Sequence, residues 1–377
     1  MHSKVHSYNI NLMNYNSVRN DVLSYLGTLL DQYDFSIVED NSLFKGNSSK
    51  LLILFELYRL KSNQQNLNNI QIFADDIKEN INDYSDLSFG SGVFGVLFVL
   101  LSLNREKVIK IDRELKIKHL SLADEYLNNL FKQKNYDLQQ GAIGLGIYAI
   151  ECLNNKIDSR NILIKITDWL IDSCNKKEDG VFWKYYLQNQ NGLSICIGQL
   201  HGLTSILTFL SIARRYLSLK YVVKIDDLTS RGLKFLMSTR YATKGNYFPI
   251  AIDLSNSNRF NDTRSNITYC MSEIGIYFGL KRINEHINII SLNKEIVQID
   301  EFIYNSINLN NYTNPFFCHG FTGALYYFIL KHKPDYSLYS LQMIAEIVSR
   351  LKQQDISLGN ANLLSGSTGI ILTLLKF

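Results

Sequence analysis

At 377 residues with 46% hydrophobic side chains, the chain has ample material for a large core, as one big domain or two ordinary ones, which excludes a disordered or low-complexity protein. Its net charge is only +4 and its Lys and Arg alternate with Asp and Glu, so it lacks the basic block that nucleic acid demands. Five cysteines are too few and uneven in number for a disulfide framework, and 3 prolines leave long runs of helical period uninterrupted.

Met1 to Asn16 is polar and lacks the apolar centre of a signal peptide. The longest apolar run, near Val93 to Leu101, is too short to span a bilayer, so a cytoplasmic location is expected. An amphipathic helix is predicted over Ser17 to Tyr33. Gly46-Asn-Ser-Ser49 then opens an apolar helical run. The same small-x-x-small pattern returns as Gly92-Val-Phe-Gly95, Gly141-Ala-Ile-Gly144, Gly202-Leu-Thr-Ser205, Ser272-Glu-Ile-Gly275, Gly320-Phe-Thr-Gly323 and Gly366-Ser-Thr-Gly369. First positions are separated by 46, 49, 61, 70, 48 and 46 residues, room for one helical hairpin per unit. Amphipathic segments at Ser121 to Lys132, Asn161 to Asn175, Leu228 to Thr239 and Tyr339 to Leu351 lie between the apolar runs and read as an outer ring around an inner one. The two long gaps carry polar, turn-rich insertions at 176–194, with the strand-like Val181 to Tyr186, and at 241–266, with Phe248-Pro249. Loops of this kind on a helical scaffold commonly carry recognition. No linker divides the chain, so a single domain over 1–377 is expected.

Cys270 stands two residues before Ser272, and Cys318-His319 immediately precede Gly320, which places these three at the same end of neighbouring inner helices. Two sulfurs and one imidazole suit zinc, and three protein ligands leave a fourth tetrahedral position for substrate. His201 precedes Gly202 as His319 precedes Gly320. Asp137 lies four residues before Gly141, where a carboxylate could orient an imidazole or cap a turn. Cys152, Cys174 and Cys196 read as packing residues, and His2, His6, His119, His286 and His332 as solvated. No copy of the glycine pattern ends in Lys-Ser/Thr, so none is a phosphate loop.

Gly198-Gln-Leu-His201-Gly202, Cys270, Cys318-His319-Gly320 and the closing Leu363-Leu-Ser-Gly-Ser-Thr-Gly-Ile370, together with the seven repeats, resemble the LanC-type lanthipeptide cyclases from Ser42 to Leu375. The resemblance implies an all-α fold, an α/α toroid of about seven inner and seven outer helices. It implies zinc held by Cys270, Cys318 and His319, with His201 and Asp137 catalytic. The implied reaction is Michael-type addition of peptide cysteine thiols to dehydroalanine or dehydrobutyrine, forming lanthionine or methyllanthionine rings in a dehydrated precursor peptide. A dehydratase and an exporter would be partners, in an assembly at the inner face of the membrane. Zinc answers a chemical need here, because a thiol of pKa ~8.5 is only about 3% thiolate at pH 7.

The chain departs from the family pattern in two places. Trp-Cys-Tyr-Gly around the first cysteine is here Tyr269-Cys270-Met271-Ser272, and the arginine usual four residues ahead of that cysteine is Asn266, with Arg264 two residues further away. A non-catalytic helical-repeat scaffold and a prenyltransferase-like thiol-activating toroid are the other readings, although the sequence has no clear basic diphosphate pocket for the latter.

Overall fold

The computed structural model describes residues 15–38, 40–81, 85–186, 193–241, 247–253, 267–332, 337–354, 356 and 362–377. In chain order the helices are α1 (Tyr15–Gln32), α2 (Asn47–Leu60), α3 (Gln64–Asn80), α4 (Val93–Arg105), α5 (Arg113–Gln133), α6 (Ala142–Asn154), α7 (Arg160–Ser173), α8 (Leu203–Ala213), α9 (Leu219–Ser238), α10 (Glu273–Ile287), α11 (Ile290–Ser306), α12 (Phe321–His332), α13 (Leu338–Gln353) and α14 (Ser367–Leu374). Even-numbered helices pack side by side in an unbroken circuit from α2 through α14 and back to α2, and odd-numbered helices lie outside them. The fold is the expected α/α toroid.

Amphipathicity sorts the two rings. Most residues of α4 and α6 are buried, on all sides of each helix, whereas α7 buries one stripe, Ile162, Leu163, Ile166, Thr167 and Leu170. Two outer helices escaped the sequence reading. Helix α3 is rich in Asn and Gln and buries only Ile70, Phe73, Ala74 and Ile77, while α11 buries Leu292, Ile299 and Ile303, so neither has a broad oily face. No described helix is long and apolar enough to cross a membrane.

Each inner helix begins at the small residue of its repeat, and that residue makes no side-chain capping hydrogen bond in α2, α4, α6, α8, α10 or α14. A hook formed by the preceding turn does that work. Six residues before the small residue, the Oδ1 atoms of Asp40, Asp86, Asn135 and Asn314 accept the N–H groups of Ser42 (2.7 Å), Ser88 (2.8 Å), Asp137 (3.1 Å) and Phe316 (3.1 Å). The main-chain carbonyls of the same four residues accept the first N–H of their helices, from Asn47, Val93, Ala142 and Phe321. Such a fold-back leaves no room for a side chain: a Cβ on Gly320 would stand 2.3 Å from the Asn314 carbonyl oxygen. Ser49 and Ser205, which stand where the other five copies have glycine as the second small residue, are both buried.

The seven hooks are bonded into a closed ring. The N–H of Phe44 donates to the carbonyl of Gly90 (3.0 Å), Gly90 to Gln139 (2.7 Å), Leu138 to Leu200 (3.3 Å), Leu200 to Cys270 (3.1 Å), Cys270 to Cys318 (3.2 Å), Cys318 to Leu364 (2.9 Å), and Leu363 back to Phe44 (2.7 Å). The last bond joins the seventh repeat to the first. Near the same seam the Tyr33 and Thr368 hydroxyls meet at 2.7 Å and Tyr15 packs against Phe377. Leu43, Phe89, Leu138, Gln199, Tyr269, Phe317 and Leu363, each three residues before its small residue, line the lumen.

The insertions form strands. Residues β1 (Asn175–Lys177) and β2 (Gly180–Phe182) make a hairpin, and β3 (Tyr185–Tyr186), β4 (Leu193–Cys196) and β5 (Ala251–Asp253) make a three-stranded antiparallel sheet in that order. The register of β4 on β5, with Ile195 opposite Ile252, joins the two insertions to each other. Residues 187–192, 242–246 and 254–266, with Arg264 and Asn266, lie outside the described part. Two of the histidines expected to be solvated are not: His119 is buried, its Nδ1 2.9 Å from the Leu115 carbonyl, because it sits on the inward face of α5 with Ala123 and Leu127, and His286 is half-buried with its Nε2 sealed from solvent.

Candidate functional site

Cys270 and Cys318 hold the same place in consecutive hooks, two residues before the small residue, and their backbones are bonded directly to each other in the ring. This equivalence brings the two sulfurs together. With the adjacent His319 they form a cluster whose ligand atoms all lie within 4.8 Å of one another, the two cysteines buried and the histidine exposed. Leu200 packs with both cysteines, and Leu138, Met271 and Leu364 close an apolar collar around them.

The sulfurs are unlike in charge. The hydrogen bond from Cys270 draws the Cys318 thiol well below its ordinary range against the effect of burial, helped by His319 and by the charge of His201. The same hydrogen bond, then burial and the Cys318 charge, drive Cys270 far up. Hydrogen bonding to Cys318 raises His319 despite burial. The pair therefore shares one proton where a cation would let both ionise, and two soft sulfurs with an imidazole are a donor set that fits a borderline divalent metal.

Asp137 and His201 meet across adjacent hooks. Oδ2 of Asp137 bonds Nδ1 of His201, while its Oδ1 accepts the N–H groups of Gln139 (2.6 Å) and Gln140 (2.9 Å). Turn capping and imidazole orientation, alternatives in the sequence, are thus divided between two oxygens of one buried carboxylate. Burial lowers the His201 pKa, but the hydrogen bond and charge of Asp137 outweigh it and leave a net rise. Cys318 adds to that rise, so His201 lies within electrostatic reach of the cysteine cluster. The first insertion reaches the pair through Trp183, which with Tyr136 and Cys196 helps wall a void of about 10 Å³ beside Asp137 and His201. Strand β4 runs from the sheet into the turn that carries His201, and Ile197 N–H donates to Ile250 (3.2 Å) on the way. Cys196 fits its packing role, with burial pushing its thiol up to about 12.

All five sequence-predicted residues therefore come to one mouth of the toroid. Glu273 was missed. This fully buried carboxylate, in the first turn of α10, accepts the N–H groups of Tyr247 (2.9 Å) and Phe248 (3.2 Å) through Oε1 and the Ser272 hydroxyl through Oε2. Ser272 also accepts from Thr268 N–H (3.1 Å), which accounts for a serine where most repeats have glycine. The available signal was that α10 alone, of the inner helices beginning at a described cap, opens with an acidic residue.

Fold and site define an α/α toroid with a cysteine–histidine cluster able to bind a metal and a carboxylate–imidazole pair at one mouth. Residues 37–377 match the model of the lanthionine synthetase C-like proteins, and the chain belongs to that family. Among solved structures it is similar to nisin cyclase, at 16% identity and a TM-score of 0.68, over 96% of this chain and 94% of that one. Two further likenesses are distant, each with a TM-score of 0.41: a GH76A α-1,6-mannanase from Salegentibacter, 10% identical over 90% of this chain and 100% of that one, and a possible GH105 member from Salmonella enterica, 12% identical over 94% and 100%. None of the curated proteins matches the chain in a sequence search.

Proposed function

We propose that this protein is a zinc-dependent lanthipeptide cyclase that closes thioether rings in a dehydrated precursor peptide. The observation that carries the reading is the convergence of Cys270, Cys318 and His319 within 4.8 Å at the mouth that also holds the Asp137–His201 pair. Zinc, when bound, supplies a Lewis acid that ionises a peptide thiol near neutral pH. Cys270, Cys318 and His319 would hold the cation, the two sulfurs as thiolates whose charge would offset its own, while the collar of Leu138, Leu200 and Leu364 keeps the reacting atoms from bulk water. The substrate thiolate attacks the β-carbon of dehydroalanine or dehydrobutyrine, forming the C–S bond and an enolate that must take a proton at the α-carbon. His201 delivers that proton from Nε2, since Asp137 engages Nδ1 and fixes the ring. The whole chain acts as one cytoplasmic toroidal domain, and a dehydratase and an exporter at the membrane's inner face are the partners this reading implies.

Elemental analysis of the purified protein should find about one zinc per chain, as three ligands with an open position require. Ala at Cys270, Cys318 or His319 should remove most of it. His201→Ala should keep its zinc yet cyclise dehydrated precursor roughly 100-fold more slowly. Alkylation of unreacted cysteines follows the reaction, because cyclisation leaves mass unchanged. A zinc-free wild type overturns the metal assignment, and a zinc-loaded His201→Ala protein with the wild-type rate overturns the acid.

A further inference from the structure

Each hook ends in the residue immediately before the small residue, and because neighbouring hooks are bonded to one another these residues follow around the mouth in repeat order. Over four consecutive repeats they are Gln140, His201, Met271 and His319. That order matches the order of atoms in the addition. Sulfur, β-carbon, α-carbon and carbonyl follow one another along the reacting chain. With the sulfur at the cysteine–histidine cluster and the α-carbon at His201 Nε2, the carbonyl falls on the side of His201 away from the cluster, where Gln140 stands. Enolate charge gathers on that carbonyl oxygen, and a donor aimed at it lowers the barrier. Met271, on the other side of His201, has only a thioether and cannot donate. Gln140 is held unusually firmly for an exposed residue. Its N–H donates to Asp137 Oδ1 (2.9 Å), the carboxylate whose other oxygen bonds His201, so one side chain spans the two residues. Its carbonyl accepts from the Tyr126 hydroxyl and from Asn135 Nδ2, both at 3.1 Å. Three hydrogen bonds thus fix its backbone, while its side chain is exposed and its amide has no hydrogen-bond partner among the described residues.

We propose that Gln140 is a catalytic residue of ring closure, its Nε2–H donating to the carbonyl oxygen of the dehydroamino acid as the enolate forms. The assignment rests on the cyclase reading. Formation of the carbon–sulfur bond pushes the π pair of the dehydroamino acid toward that oxygen, Gln140 stabilises the charge without giving up its proton, and His201 supplies the proton to the α-carbon. A carboxamide suits this task because it is uncharged and remains a donor whether or not the imidazole beside it is protonated. The test compares zinc-loaded wild type with Gln140→Met, which keeps the side chain's length and the backbone hydrogen bonds but has no N–H to give. Steady-state cyclisation of dehydrated precursor is followed by thiol alkylation. In the variant kcat should fall roughly 100-fold or more, as for loss of one oxyanion donor, with KM and zinc content unchanged. The alkaline limb set by His201 should stay in place, because Asp137 still holds the imidazole. Gln140→Leu serves where the Met variant misfolds or loses its zinc. A folded, zinc-loaded variant with the wild-type kcat, or with a change in KM alone, overturns the role of Gln140 and leaves the cyclase reading intact. A limb that moves means that the loss acts through His201, which also overturns the donor. A wild type that closes no ring overturns the cyclase reading, and this assignment with it.

Discussion

The Asp137–His201 pair is a residue-scale device whose pH behaviour follows from one hydrogen bond. The folded pKa of His201 is raised above its ordinary 6.5, so the imidazolium is populated below that raised value and lost as pH climbs through it. For stability the same sign holds: the contribution is fully present below 6.5 and disappears as pH rises through the folded value. An acid at this position gives cyclisation a limb that falls on the alkaline side. Asp137→Asn removes the partner that raises the pKa, so the limb should move to lower pH and the rate at neutral pH should drop. Single-turnover rates with zinc-loaded protein from about pH 5.5 to 9 would show this, a window bracketing ordinary imidazole titration. A limb that stays in place in the variant means that another group donates the proton.

At the scale of elements, the hook and helix start is the unit that was legible in the sequence, because its requirements fall on residue types. Glycine is needed where the turn folds onto the helix start, and the register it sets placed Cys270, Cys318, His319, His201 and Asp137 at one mouth. The Asp or Asn six residues ahead was equally visible in Asp40, Asp86, Asn135 and Asn314 but is separated from the glycine by variable positions. Glu273 was not legible in the same way, since its partners are the main-chain N–H groups of Tyr247 and Phe248, which carry no residue identity. Gln140 likewise gains meaning only from its place beside His201. Glu273 ties the segment entering β5 to α10, and its loss leaves two N–H groups without their acceptor. Glu273→Ala should therefore destabilise by about 2–6 kcal/mol in urea unfolding, about 1–3 for each of the two N–H groups left without an acceptor. Limited proteolysis should cut first within 241–253, and Glu273→Gln, which keeps an acceptor oxygen, should be milder. Equal stability of the Ala variant and wild type would show that the carboxylate does not anchor this segment.

Across the whole molecule, closure distinguishes this toroid from an open helical array. In an open array each repeat leans on its neighbours alone, so removing a terminal one leaves the remainder folded. Here the last hook bonds to the first, and the carbonyl of Leu364 in the seventh repeat holds the N–H of Cys318 in the sixth. Helix α14 buries Ile370, Ile371 and Leu374 between α12 and α2. At roughly 1.5–3 kcal/mol for each aliphatic side chain, these contribute about 5–9 kcal/mol, as much as the entire stability of many domains. Deleting residues 362–377 removes the last hook and its helix but none of the proposed zinc ligands, yet it should abolish both cooperative thermal unfolding, followed by circular dichroism, and stoichiometric zinc binding. Adding the missing segment back as a synthetic peptide should restore part of both, since its seat is formed by α2, α12 and α1. A truncated chain that melts cooperatively and holds one zinc would show that the ring bonds are incidental and that the six remaining hairpins fold as an open array.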